Sequence, residues 1–69
     1  MDRESVSSSN IASIGYDESS ETLEIEFLNG GLYQYFDVPQ RVYEELIAAD
    51  SHGKYLAANI KGTYRYSKV

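Results

Sequence analysis

Hydrophobic and polar positions alternate most cleanly over Thr22–Leu28, where Leu23, Ile25 and Phe27 face one way and Glu24 and Glu26 the other. Period-two alternation of this kind predicts a strand with one buried and one wet face. Ile11–Tyr16 predicts an earlier strand with Ala12, Ile14 and Tyr16 on one side, and Asp17–Glu21 (DESSE) between the two has the composition of a turn. Asn29-Gly30-Gly31 then leads into a third strand, Leu32–Phe36, giving a hairpin. The period changes after Pro39, which suits the first turn of a helix. Val42, Tyr43, Leu46 and Ile47 recur at helical spacing, and Glu44 and Glu45 fall off that stripe. Ser51 is a candidate N-cap for a second helix reaching about Ile60, with Tyr55, Leu56 and Ile60 inward and Gly53 as a close-packing point between the helices. Beyond Gly62, Thr63–Val69 runs out extended as a tail or a short fourth strand.

The fold class that follows is α+β: a three-stranded antiparallel meander, then two helices packed on one face, then an extended C-terminal tail or short fourth strand. Met1–Ser8 is polar and serine-rich and reads as a disordered tail, leaving residues 9–69 as the single domain. A chain of 69 residues without cysteine must rely on a small core with no disulfide or thiolate metal site. No apolar run is long enough to cross a membrane and the N-terminus lacks a signal-peptide core, so a cytoplasmic location with no membrane partner is expected.

The hairpin register sets the direction of Tyr33 and Tyr35. A two-residue Asn29-Gly30 loop pairs Phe27 with Leu32 and puts both tyrosines beside Glu24 and Glu26. A three-residue loop, Asn29-Gly30-Gly31, with Gly31 left-handed pairs Phe27 with Tyr33 and Ile25 with Tyr35, turning the tyrosines to the core face. The second glycine favours the longer loop. In that register Leu28, Leu32 and Phe36 form an outer apolar patch, fit for a protein partner or weak self-association.

Charge divides the chain unevenly. All eleven acidic residues and two basic ones lie in residues 1–50, a balance of −9, and residues 51–69 hold Lys54, Lys61, Arg65 and Lys68 with no acid, for a total of −5. An acidic chain is a poor general binder of nucleic acid, yet a local basic segment can still meet an anion. Lys54, Lys61, Arg65 and Lys68 interleave with Tyr64 and Tyr66, a mixture that suits single-stranded nucleic acid. The competing reading has Tyr64 and Tyr66 clamping the tail to the body.

Catalytic chemistry has little to draw on. His52 is the only histidine, so a Cys–His pair and a multi-histidine metal site are both excluded. Asp50-Ser51-His52 cannot converge as a triad, because consecutive side chains point apart. Glu24 and Glu26 share a face about 7 Å apart by strand rise but would be wet. Gly30-Gly31 lacks the helix and lysine of a phosphate loop. No enzyme activity, cofactor or metal is expected.

The ordered series IASIGYD, LEIEFLNGG, Tyr33-Gln34-Tyr35, Val38-Pro39, then Ser51 and Gly53 ahead of Tyr55 and Ile60, resembles the KTSC domain over about Ser9–Tyr66. That family is bacterial and phage-borne and also occurs at the C-terminus of some lysyl-tRNA synthetases. The resemblance implies a small non-catalytic binding module, associated with RNA or tRNA. It makes Tyr33 and Tyr35 the family's Tyr-x-Tyr, read here as packing residues. The alternative is a protein-interaction module using Leu28, Leu32 and Phe36 or an edge strand.

Overall fold

The computed structural model describes residues 1–69. Five strands form one antiparallel sheet in sequence order: β1 (Arg3–Ser5), β2 (Ile11–Asp17), β3 (Thr22–Phe27), β4 (Leu32–Tyr35) and β5 (Tyr66–Lys68). Helices α1 (Gln40–Ala48) and α2 (His52–Asn59) lie between β4 and β5 in the chain. The α+β class and the helix pair agree with the sequence, but the three-stranded meander is corrected to five strands. One further strand is the C-terminal segment, the short fourth strand that the sequence offered as an alternative to a tail, and it pairs with β4 (Tyr35 opposite Tyr66, Tyr33 opposite Lys68). The other comes from residues expected to be disordered.

That N-terminal expectation fails for a local reason. Arg3, Glu4 and Ser5 pair with Gly15, Ile14 and Ser13. A Cβ on Gly15 would stand 2.8 Å from both the Arg3 Cγ and the Asp2 carbonyl oxygen, so β1 fits only over a residue without a side chain. Ser8 Oγ accepts from the Ile11 N–H at the start of β2. The polar composition of Met1–Ser8 concealed a strand that is held by backbone pairing to β2 and by the polar contacts of Arg3.

The core lies between one sheet face and the helices. Ile11, Ile14, Leu23, Ile25, Val38, Leu46, Leu56 and Ile60 are fully buried. β2 carries a register shift between Ile11 and Ser13, so Ala12 leaves the face the simple alternation gave it and Ile11 joins the core opposite Phe27. Val42 and Leu46 are buried on α1, with Tyr43 and Ile47 packed at the margin. Tyr16 stacks on Tyr43, ring centroids 4.8 Å apart, and its hydroxyl donates to the Val38 carbonyl. Ser51 caps α2 by accepting from the Lys54 N–H. Gly53 does not mediate helix–helix packing: its missing Cβ makes room for Asn10, whose Oδ1 would lie 2.5 Å away.

The hairpin register also differs from both alternatives. Glu26 pairs with Leu32, Ile25 with Tyr33 and Leu23 with Tyr35. The loop is Leu28-Asn29-Gly30, with Gly30 rather than Gly31 left-handed (φ 95°). The Gly30 N–H donates to the Phe27 carbonyl, the Phe27 N–H to the Gly31 carbonyl, and the Asn29 carboxamide oxygen accepts from the Gly31 N–H. The bulged three-residue type holds, shifted by one residue in the loop and by two in the pairing. A shift of two preserves parity, so Tyr33 and Tyr35 face the core side.

An aromatic pocket at the uncovered end of the sheet

The helices leave the β4–β5 end of the core-side face open. Tyr35 is buried at its base, Tyr33 is half-buried, and Tyr66 is 61% exposed. Strand pairing places these three rings together: Tyr33 and Tyr35 project from the same side of β4, and Tyr66 stands opposite Tyr35 on β5. Phe27, at the end of β3, meets Tyr33 edge to face at 5.5 Å. Tyr66 lies 5.8 Å from each of Tyr33 and Tyr35, tilted by 45° and 39°. Gly62, with φ at 80°, turns the chain out of α2 toward β5. Phe27, Asn29, Tyr33, Tyr35, Lys61, Gly62 and Tyr66 line an open pocket of about 430 Å³.

Two cations stand over these rings. Lys61 Nζ is 5.4 Å from the Phe27 centroid and Lys68 Nζ is 6.0 Å from that of Tyr33. Neither takes part in an ion pair; the molecule's ion pairs all use Arg3, Arg41 or Arg65. No acidic side chain lines the pocket. Burial, then the neighbouring phenols of Tyr33 and Tyr66, raise the Tyr35 pKa, so its hydroxyl stays protonated at neutral pH.

Of the basic-segment residues singled out in the sequence, Lys61 and Tyr66 line this pocket with Tyr33 and Tyr35, and Lys68 stands at its margin over the Tyr33 ring. The others do not line it. Tyr64 is half-buried against the core and anchors the chain after α2, as the clamp reading expected of it but not as expected of Tyr66. Arg65 pairs with Asp37 at 3.0 Å and lies over Phe36, and Lys54 sits exposed in the first turn of α2. Phe27 and Asn29 escaped the sequence reading, though Phe27's place at the strand end beside the turn was the available signal.

The opposite sheet face is polar where bare carboxylates were expected. Glu24 is 7% exposed; one carboxylate oxygen takes Arg3 Nη1 and the other accepts from Gln34 Nε2 at 2.9 Å. Ser13 Oγ accepts from Arg3 Nε at 3.0 Å and donates to Glu26 at 2.9 Å. The Gln34 and Arg3 hydrogen bonds hold the Glu24 carboxyl below the usual carboxylate range against the opposing effect of burial. Among the outer-patch candidates, Leu28 is exposed at the hairpin tip, and Leu32 and Phe36 are half-buried. Leu32 lies opposite Glu26, next to this polar network.

Elsewhere, Tyr55 on α2 donates to Glu45 on α1 at 2.6 Å, and that bond raises its pKa to about 12. His52 Nδ1 is buried with no partner. No three of the histidine, aspartate or glutamate side chains cluster as a metal site would require. No helix is long and apolar enough to cross a membrane.

Fold and pocket define a small α+β domain with an open aromatic concavity beside its C-terminal strand. The chain belongs to the KTSC domain family, whose model matches residues 7–69. A crystal structure of a KTSC domain protein from Yersinia pestis superposes with a TM-score of 0.96 at 43% identity, covering 99% of this chain and 96% of that one. An uncharacterised Stutzerimonas stutzeri protein is 40% identical over 100% of this chain and 99% of its own length. A lysine–tRNA ligase from Nostoc sp. is 43% identical over 54 residues, which is 78% of this chain but only 10% of the ligase.

Proposed function

We propose that this protein is a non-catalytic binding module that takes single-stranded RNA at the aromatic pocket. The carrying observation is the grouping of Phe27, Tyr33, Tyr35 and Tyr66 beneath two lysines that have no carboxylate partner. Phe27, Tyr33 and Tyr66 offer stacking faces to bases above the buried Tyr35, and Lys61 and Lys68 offer charge to the flanking phosphates. The carboxylates that would repel phosphate, Glu24 and Glu26, are on the far side of the sheet. The similarity to a segment of lysine–tRNA ligases supports the same reading, with tRNA as one candidate RNA.

The test is an amide-shift titration of the labelled protein with mixed tRNA at low and moderate salt. Expected shifts centre on Phe27, Asn29, Tyr33, Tyr35, Lys61, Tyr66 and Lys68 and fade as salt rises. A Lys61→Glu/Lys68→Glu variant should weaken binding at least about tenfold without unfolding the domain. Silence at low salt sinks the proposal and turns attention to a protein partner at Leu28, Leu32 and Phe36.

A further inference from the structure

The pocket's rings would stack on any base, but its polar groups are not neutral in sign. The Gly31 N–H can only donate, so the Asn29 atom facing it at 2.9 Å is the carboxamide oxygen. The two N–H bonds of the Asn29 amide therefore remain, and they have no partner within the molecule. Lys61, in the same wall, carries three donors and no acceptor, and Lys68 adds three more above Tyr33. Apart from phenol oxygens, backbone carbonyls and the Asn29 oxygen already engaged by the Gly31 N–H, the side chains around the rings present only hydrogen-bond donors.

Bases differ in what they return to such a wall. Guanine shows two acceptors, N7 and O6, on one edge, and uracil shows carbonyl oxygens. Adenine and cytosine keep acceptors elsewhere on the ring but place an exocyclic amino group where those carbonyls stand, so an amide or ammonium donor aimed at that position meets another donor. Resting on the RNA reading above, we infer that the pocket selects guanine and uracil over adenine and cytosine, with Asn29 as a specificity-determining residue and Lys61 in support. Asn29 thus has two uses: its oxygen closes the hairpin loop and its nitrogen reads the base.

The experiment compares GUGUGU and ACACAC RNA hexamers by fluorescence anisotropy at one low salt concentration. Both contain equal numbers of purines and pyrimidines, which matches ring size while exchanging carbonyl for amino groups. The native protein should favour GUGUGU by about fivefold. Asn29→Asp keeps an oxygen for the Gly31 N–H but loses the donors, and should bring the ratio close to one while lowering both affinities. Lys61→Met, which keeps the apolar stem without the ammonium, should reduce the ratio part of the way. Equal affinity of the native protein for the two hexamers overturns the selectivity and leaves RNA binding standing. Binding of neither overturns both. A preference that survives in Asn29→Asp overturns the role of Asn29.

Discussion

Glu24 keeps a charge at a site 7% exposed because Arg3 and Gln34 reach both of its oxygens. Its pKa is lowered from the ordinary 4.5, so in the acid range the unfolded chain binds more protons than the folded one. The stabilisation is therefore complete above about pH 4.5 and is lost as pH falls through the folded value. Asp17, lowered chiefly by its hydrogen bond from Ser19, acts in the same direction. Glu24→Gln should cost about 1 kcal/mol at pH 7, below the roughly 1.5–3 kcal/mol of a charged hydrogen bond because the Arg3 side chain is 32% exposed and solvent screens the pair. The same variant should lose less stability than the native chain between pH 5 and 3, with Asp17's share remaining. Urea midpoints at pH 7, 5 and 3 test this, and an unchanged acid loss would assign it to another carboxylate.

At the scale of elements, β1 depends on Gly15. Valine is a better strand former than glycine, yet Gly15→Val would drive its side chain into Arg3 and the Asp2 backbone, both 2.8 Å from the Cβ position. The expected outcome is displacement of β1 at a cost of about 1–3 kcal/mol, the usual range for overpacking. Faster hydrogen exchange should be confined to the β1–β2 pairing. In a chain lacking residues 1–5 the same substitution should be harmless; an equal cost there would mean that Gly15 is needed for another reason. This dependence also explains what the sequence concealed. Leu23, Ile25, Val42, Leu46, Leu56 and Ile60 announced their elements because burial follows period two or 3.6. Arg3–Ser5 has no apolar period, since its strand is held by backbone pairing and Arg3's polar contacts, and Gly15 looked like an ordinary strand glycine. The hairpin's parity was legible and its register was not, because Gly30 and Gly31 both permit a left-handed turn residue and only the fold chooses between them. For the pocket, the interleaved Lys61, Tyr66 and Lys68 were visible. Their meeting with Phe27 and Tyr33 required β5 to pair with β4, and that pairing crosses both helices in the chain.

For the whole molecule, the acidic balance limits what two free lysines can do. Against the −5 net charge, residues 51–69 carry four of the six basic side chains and no acid, but Arg65 there is engaged by Asp37 and Lys54 does not line the pocket. Lys61 and Lys68 are left to meet phosphate, a footprint of about two charges. Counterion release from a single strand then gives a slope of log K against log salt of about −1.4, from about −0.7 per phosphate neutralised. The body's negative charge opposes encounter, so affinity should be modest and carried in good part by stacking. Binding isotherms of the GUGUGU hexamer from 25 to 200 mM salt measure the slope directly. A value near −1.4 that drops by about half in Lys68→Gln fits a two-lysine site whose rings supply the remainder. A slope near about −2.8, the value for four phosphates, would mean that Lys54 and Arg65 also engage the strand, making the basic segment as a whole, rather than the pocket, the binding surface. A flat slope with retained affinity would remove phosphate from the contact and leave the rings binding an uncharged ligand.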